Sequence, residues 1–398
     1  MLVTADRVFC GHLYVRNGKI AAISDDGTLP AREELDAAGL YVLPGMLDCH
    51  AHINDPGFTW REDLPHASEA AAVGGVTTLI DMPLQNTPPL TSADAFANKL
   101  VVFEGRSLVD YALWGGLVTD NTAELAGMDA AGAVGFKAFI APVSLGYSSV
   151  DMGLAREALF RIKAFGGLAG FHCEDHALIC AGEAKAKAGG GIRRAFLDSR
   201  PVVAEVIATA NVIELARETG ARVHICHVSH PRVAELVHRA QADGLSVTGE
   251  TCPHYLVFTE ENLLSCGTVF KCAPPLRTAE ARDGLWEYVL DGTLSCIGSD
   301  HSPSRPDEKD EAVHGVMGAW GGLSGLQSLV QVMFDQAVTR RGCSPSLLRR
   351  EGVRPRRPQG RARRRARRGR RPDRSGQGLD DHRSFPAVSQ SVLGLRRA

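Results

Sequence analysis

From residue 44 onward the chain repeats one pattern: a short apolar run, a loop, then a helical stretch. The apolar runs are GMLDCHAH, GVTTLIDM, DYALWGGLV, VGFKAFI, GLAGFHC, ARVHICHV, GLSVTGE and GTLSCIGSD. Between them lie helix-forming stretches such as HASEAAAVGG, ADAFANKLVVFEG, AREALFRIKAFGG, VVAEVIATANVIELARETG and VAELVHRAQADG. A last one, WGGLSGLQSLVQVMFDQAVTRRG, follows the eighth run. Eight strands alternating with helices predict an α/β protein built as a closed parallel (β/α)8 TIM barrel over residues 44–342. A doubly wound open sheet is the weaker alternative, because no glycine-rich phosphate turn follows the first strand.

Residues 1–43 read instead as short strands. HLYVRNGKIAAIS is a hairpin, with Asn17-Gly18 supplying the positive φ angles of a tight turn. The 398 residues, 44% of them hydrophobic, suffice for a barrel plus a small partner unit.

Charge is unevenly spread. Of the 44 Lys and Arg residues, 17 fall in residues 349–398, all of them Arg, beside 4 of the 46 acidic residues. The remaining 27 basic and 42 acidic residues give 1–348 a net charge of −15. An acidic body argues against a nucleic-acid substrate, which needs clustered positive charge. Ten cysteines are scattered without a C-x-x-C pair, several inside apolar runs. That pattern fits reduced thiols in a cytoplasmic protein. The start, MLVTADRVFCG, lacks a signal layout, and no run of 18 apolar residues occurs, so no membrane association is expected.

In a barrel of this kind chemistry sits at the C-terminal ends of the strands. Strand one ends His50-Ala-His52, and residues two apart on a strand face the same way. Both imidazoles then point into the barrel mouth, as two ligands of one metal would. Lys137 lies on strand four, His172 ends strand five, His227 ends strand six and Asp300 ends strand eight. A single such histidine is usually a hydrogen-bonded or surface residue, and that reading is favoured for His12, His66, His176, His238 and His314. Lys137 alone would be a strand-end lysine whose amine reaches solvent. Convergence from five strand ends is different, and imidazole with carboxylate suits zinc and similar divalent ions. An ammonium between two dications is strongly disfavoured, so Lys137 must be neutral or modified. A neutral lysine can add carbon dioxide to form a carbamate, an anion with two oxygens able to bridge two metals.

The stretches PGMLDCHAHINDPG, GGVTTLIDMP, VGFKAFI, HCEDHALI, HICHVS, ETCPHY, KCAPPLR and GSDHSP resemble the cyclic amidohydrolases, the group of dihydroorotases, hydantoinases and allantoinases. The resemblance runs from about residue 5 to residue 348. It implies that His50 and His52 bind one metal, that carboxylated Lys137 bridges two, and that His172 and His227 bind the second. Asp300 would bind the first and act as acid/base. None of the six positions is substituted. Two close metals, Zn2+ by first choice with Co2+, Mn2+ or Fe2+ as others, lower the pKa of a bridging water. The resulting hydroxide attacks the ring carbonyl, and Asp300 returns the proton to the departing nitrogen. The family also implies a homotetramer and a small β-sandwich shared by N- and C-terminal strands.

Several motifs lean toward allantoin as the ring opened to allantoate. They are DMPLQNTPPLT at 81–91, SRPVVAE at 199–205 and AWGGLSGLQ at 319–327. Dihydroorotases place an arginine two residues after the second histidine to grip a carboxylate; here Asn54 stands there, which suits a neutral cyclic ureide. Cys272 and Ala273 lie where the family holds the ring by main-chain groups. Asp55-Pro56-Gly57-Phe58 departs from the Glu-Pro-Gly-Arg of allantoinases, and REDLPHAS leans toward dihydroorotases. Dihydroorotase and hydantoinase (dihydropyrimidinase) activities therefore stand as alternatives. So does a catalytically silent amidohydrolase scaffold.

The segment 343–398 breaks the pattern. RPRRPQGRARRRARRGRRPDR, residues 354–374, has no apolar periodicity. The family's next strands read roughly K-G-x-L-x-x-G-x-D-A-D-hydrophobic. Back-translating Gln359 to Arg383 with CGN arginine codons and shifting by one base permits KGALAVGHDADVVLIDPDKAWTIT. This reads as a frameshift near codon 348 that replaces the C-terminal sandwich strands with a disordered tail. A basic arm that binds nucleic acid is the functional alternative. Without those strands, 1–43 should lack sheet partners and the chain should be prone to aggregate.

Overall fold

In the computed structural model of the chain, residues 1–4, 7–143 and 147–345 are described, together with the backbone of 392–396. Five strands come first: β1 (Leu2–Val3), β2 (Val8–Phe9), β3 (His12–Arg16), β4 (Lys19–Ser24) and β5 (Leu40–Pro44). The barrel strands follow as β6 (Met46–Ala51), β7 (Val76–Asp81), β8 (Asp110–Leu113), β9 (Gly115–Gly116), β10 (Phe136–Phe139), β11 (Leu168–His172), β12 (Arg222–Ile225), β13 (Val247–Thr251) and β14 (Leu294–Ile297). Strands β8 and β9 are one strand interrupted at Trp114, whose N–H bonds the Asp81 carbonyl at 2.9 Å. Each of the eight expected strands is therefore present, in sequential parallel order.

The first and last strands meet across a seam. Ala51 bridges His301 in parallel, the His52 N–H reaches the His301 carbonyl at 2.7 Å, and the Ser299 N–H reaches Asp48 Oδ1 at 2.9 Å. The strands sit between side chains on both faces, which explains why they read as continuous apolar runs rather than alternating ones. Every residue of β10 and β11 is buried. Phe136 and Phe171, both fully buried, contribute on the order of 2–3 kcal/mol each by leaving water.

Local signals set the helices. Asp63 caps the helix Leu64–Gly74, accepting from the His66 N–H, and Pro65 sits in its first turn. Gly75, at φ 86°, takes the left-handed position that ends this helix, and β7 starts at the next residue. Ala67 and Ala71 bury the inner face. The helices Leu125–Ala131, His176–Ala188, Arg193–Ser199 and Ala279–Leu290 were not among those read from sequence.

The last predicted helix is shorter than expected. Residues 320–328 form a loop, helix begins at Leu329, runs to Phe334 and continues with π-helical turns over Asp335–Thr339. The reason is local competition for backbone amides. The Gly325 and Leu326 N–H groups donate to His301 Nδ1 at 3.2 and 3.4 Å, and Gly322 adopts a φ of 155°.

Outside the barrel, β1 pairs with β2 antiparallel and with β5 in parallel. A further strand, β15 (Val392–Arg396), lies antiparallel to β5, with Leu393 opposite Leu43 and Leu395 opposite Tyr41. The expectation that residues 1–43 lack any C-terminal partner is corrected here: the VLGLR segment supplies one to the open edge of β5. The hairpin β3–β4 turns at Asn17 (φ 53°) and Gly18 (φ 71°) as its sequence predicts, and stays a separate two-stranded sheet. The arginine-rich stretch 354–374 lies outside the described residues, as do the readings placed on it. Among the described residues no helix is long and apolar enough to cross a membrane. The ten cysteines are all unpaired.

Candidate metal centre

The strand ends deliver six side chains to one place. His50 lies on β6 and His52 follows its last residue, with their rings 5.3 Å apart. Each presents Nε2 at 3.2 Å from Asp300 Oδ1, so one carboxylate oxygen faces both imidazoles. The His227 ring lies 5.4 Å from that of His50 and 4.5 Å from that of His172. Lys137, fully buried on β10, brings Nζ to 3.5 Å from His227 Nε2. His172 stacks on Phe139 at 4.9 Å, and the Lys137 amine lies 5.1 Å from that same ring. All six residues expected at the strand ends thus adjoin one another.

Backbone strain marks the same spot. Asp300 and His227 take positive φ angles, 46° and 39°, without being glycine. Such conformations cost about 1–3 kcal/mol each and persist where surrounding structure enforces them.

The donor set fits divalent metal. His52 turns Nε2 to Asp300 and His227 turns Nε2 to Lys137, so each ring presents a nitrogen to the cluster, while the Nδ1 atoms of both are buried without a hydrogen-bond partner. His50, His52 and Asp300 offer ligand atoms within 4.8 Å of one another. Burial drives the imidazoles of His172 and His227 below their ordinary pKa, the first against Glu174 and the second with help from Lys137. Burial likewise brings His52 down to about 4. A lowered imidazole pKa favours the neutral form, which is the form able to bind metal. His50 differs. Burial pulls it down, but the Glu250 carboxylate outweighs this and lifts it to about 10. Burial works against the Asp300 charge, yet His50, His52 and His227 together hold that carboxyl well below the usual range.

Several supporting residues were not read from the sequence. Glu250, at the end of β13, binds His50 Nδ1 through Oε1. Glu174 lies 2.7 Å from His172 Nε2 and is itself bound by Arg200, which also reaches Glu183 at 2.9 Å. His301 Nε2 meets Glu62 Oε2 at 2.7 Å. Gln85 takes a φ of 64°, donates to Ser302 Oγ at 3.1 Å and leaves Oε1 buried without a partner. The signal for Glu250 was its place at a strand end, and for Glu174 its spacing of two from His172.

The expected substrate contacts are mixed. Asn54 is fully buried, and both atoms of its amide lack a partner. Asp55 is bound by Arg106 at 2.6 Å and so belongs to the frame. Cys272 is buried, and Ala273 is half-buried. Burial first and Asp300 second push the Cys272 thiol up to about 12, which sets this loop beside the cluster. The histidines read as unremarkable are so. His66 pairs with its helix cap Asp63 at 2.6 Å, His176 meets Ser149, His238 meets Thr293, and His12 and His314 are exposed.

Residues 39–232 match the dihydro-orotase-like family. The allantoinase of Deinococcus radiodurans is 37% identical over 310 residues, which are 77% of this chain and 69% of that protein. The allantoinase of Escherichia coli K12 is 40% identical over 337 residues, 83% of this chain and 73% of its own. The chain belongs to the allantoinase family. Allantoinases are cyclic amidohydrolases, which makes this chain a hydrolase of a cyclic amide carbon–nitrogen bond. The solved L-hydantoinase (dihydropyrimidinase) of Arthrobacter aurescens superposes with a TM-score of 0.85 at 36% identity, covering 89% of this chain and 79% of that one. The barrel and the metal dependence of the family agree with the allantoinase assignment.

Proposed function

We propose that this chain opens allantoin to allantoate at the cluster of His50, His52, Lys137, His172, His227 and Asp300. The observation that carries the reading is the convergence of all six from separate strand ends in a chain of this family. His50, His52 and Asp300 would hold one divalent ion, and His172 and His227 a second. Lys137, carboxylated on its amine, would join the two. Zinc suits imidazole and carboxylate ligands, with Co2+, Mn2+ or Fe2+ as other occupants. Such ions, when bound, lower the pKa of a water toward neutrality and polarise the ring carbonyl.

The chain's own groups do the rest. Asp300 is held ionised, so it accepts a proton from the attacking water and delivers it to the amide nitrogen as the carbon–nitrogen bond breaks. Asn54 offers an N–H2 and a C=O that no protein group satisfies, a match for the neutral N–H and C=O edges of a ureide. A ring bearing a carboxylate would want a cation there. Cys272 and Ala273 contribute main-chain groups to hold the ring. Arg61 is bound to Glu308 through Nε and Nη2 and packed 3.9 Å from the Trp320 ring, with Nη1 buried and unpaired.

The frameshift reading belongs with this proposal. The matched relatives extend beyond the part this chain aligns with, and the frame shifted by one base permits a sequence like the family's next strands. Resequencing the coding region around codon 348 tests it, and a verified uninterrupted frame would rule it out. A cytoplasmic homotetramer is the assembly the family implies, measurable by light scattering. For the reaction itself, folded, metal-loaded protein that releases no allantoate from allantoin would refute the reading.

A further inference from the structure

Three adjacent strands place a second donor set next to the first. Cys49 on β6 and Cys296 on β14 bring their sulfurs to 3.5 Å. The Cys49 thiol donates to Glu250 Oε2, on β13, at 3.0 Å. His224 on β12 sets Nε2 at 3.4 Å from the same oxygen, and its Nδ1 is fixed by Thr248 Oγ1 at 2.8 Å. The two thiols, Oε2 and the His224 ring have no part in the hydrolysis described above. Cys49, Glu250 and Cys296 offer ligand atoms within 4.8 Å of one another.

The spacing discriminates between two uses of the thiols. A disulfide needs sulfurs at about 2.05 Å, so the pair would have to close by about 1.5 Å. Tetrahedral metal–sulfur bonds of about 2.3 Å put two sulfurs roughly 3.8 Å apart, within a few tenths of an ångström of the separation found. The mix of two sulfurs and one carboxylate is that of a soft or borderline ion. Cys296 is half-buried while Cys49 is buried, so the cluster is not sealed on every side.

We propose that Cys49, Cys296 and Glu250 form a separate three-residue site for one thiophilic divalent cation of the Zn2+ or Cd2+ type. Binding exchanges two S–H bonds for two metal–sulfur bonds and releases two protons. Glu250 keeps Oε1 on His50 while Oε2 takes the ion, so occupancy of this site bears directly on the imidazole that faces Asp300. The binding claim stands apart from the hydrolytic reading, because it is read from sulfur ligation and not from turnover.

The test uses the full chain, reduced with a phosphine, stripped of metal and titrated with Cd2+. The readouts are the ultraviolet thiolate-to-cadmium absorption and the 113Cd resonance. Cadmium held by His50, His52 and Asp300 alone gives no such band, whereas Cys226, grouped with His50 and Glu250, and Cys252, grouped with His254 and Asp300, are sulfurs whose Ser variants must leave the band in place. The expected result is a band worth two thiolates per chain that falls by half or more in both Cys49→Ser and Cys296→Ser. It should stay unchanged in Cys226→Ser, the cysteine next to His50. If Cys49→Ser does not fold, Cys296→Ser at its half-buried position carries the comparison. A full-strength band in Cys296→Ser, or none in reduced parent protein, overturns the proposal.

Discussion

Glu250 binds Nδ1 of His50, so this imidazole has only Nε2 to offer, and Nε2 faces Asp300 at 3.2 Å. A carboxylate on the far nitrogen fixes both the tautomer and the ring orientation of a metal ligand. Glu250→Gln keeps the shape and removes the charge. It should weaken metal binding about 10- to 100-fold. Metal affinity by competitive chelation checks this, and an unchanged affinity would deny Glu250 that role.

Lys137 has no other evident use for a buried amine. Lys137→Ala should lose the bridging group and with it at least one of the two ions. The measurement is metal content per chain after dialysis, with ring-opening rate on the same sample. Two ions retained and full activity would remove Lys137 from the site.

Asp300→Asn separates proton transfer from the remaining binding contacts. The rate should fall roughly 100- to 10,000-fold, the usual worth of a placed acid/base. The loss should appear in kcat more than in KM. A change confined to KM would place the acid/base elsewhere.

His230 gives an acid-sensitive point away from the centre. Its Nδ1 accepts the Arg232 N–H at 3.1 Å and caps the helix Pro231–Ala242. Burial first, then Arg277 and Arg232, bring its pKa down to about 4. A folded pKa below the unfolded value near 6.5 means that the neutral form favours folding. That contribution is whole above about pH 6.5 and is lost as pH falls toward 4. His230→Asn keeps a cap acceptor that does not titrate, and should lose less stability over this window than the parent, by about 1 kcal/mol. Urea melts at both pH values decide it.

The β3–β4 hairpin exposes Val15, Ile20 and Ile23 at 48%, 47% and 43%. A two-stranded sheet with an uncovered apolar side is marginal and invites association. Replacing the three by Thr should raise the concentration at which light scattering detects aggregates, with ring opening unchanged. No change in scattering would clear the hairpin.

The ligand residues were legible because each falls at a strand end whose direction is fixed by period-two geometry. His50 and His52 needed nothing beyond their spacing. Glu250 and Glu174 were harder, since a carboxylate in ETCPHY or HCEDHALI shows its partner only when strands adjoin. Residues 320–328 depart from the helix their sequence predicts because His301, distant in sequence, takes the amides of Gly325 and Leu326. The partner of β5 escaped for the same reason: VLGLR is five residues long, and only the open edge beside Leu43 gives it a place.

The central claim is the ring that this site opens. Metal-loaded protein should be assayed with allantoin, dihydroorotate and hydantoin in one preparation, comparing kcat/KM. The account predicts allantoin foremost and dihydroorotate last, since Asn54 offers no cation to a carboxylate. Preference for dihydroorotate or hydantoin, or no turnover by folded protein carrying its metal, would contradict it.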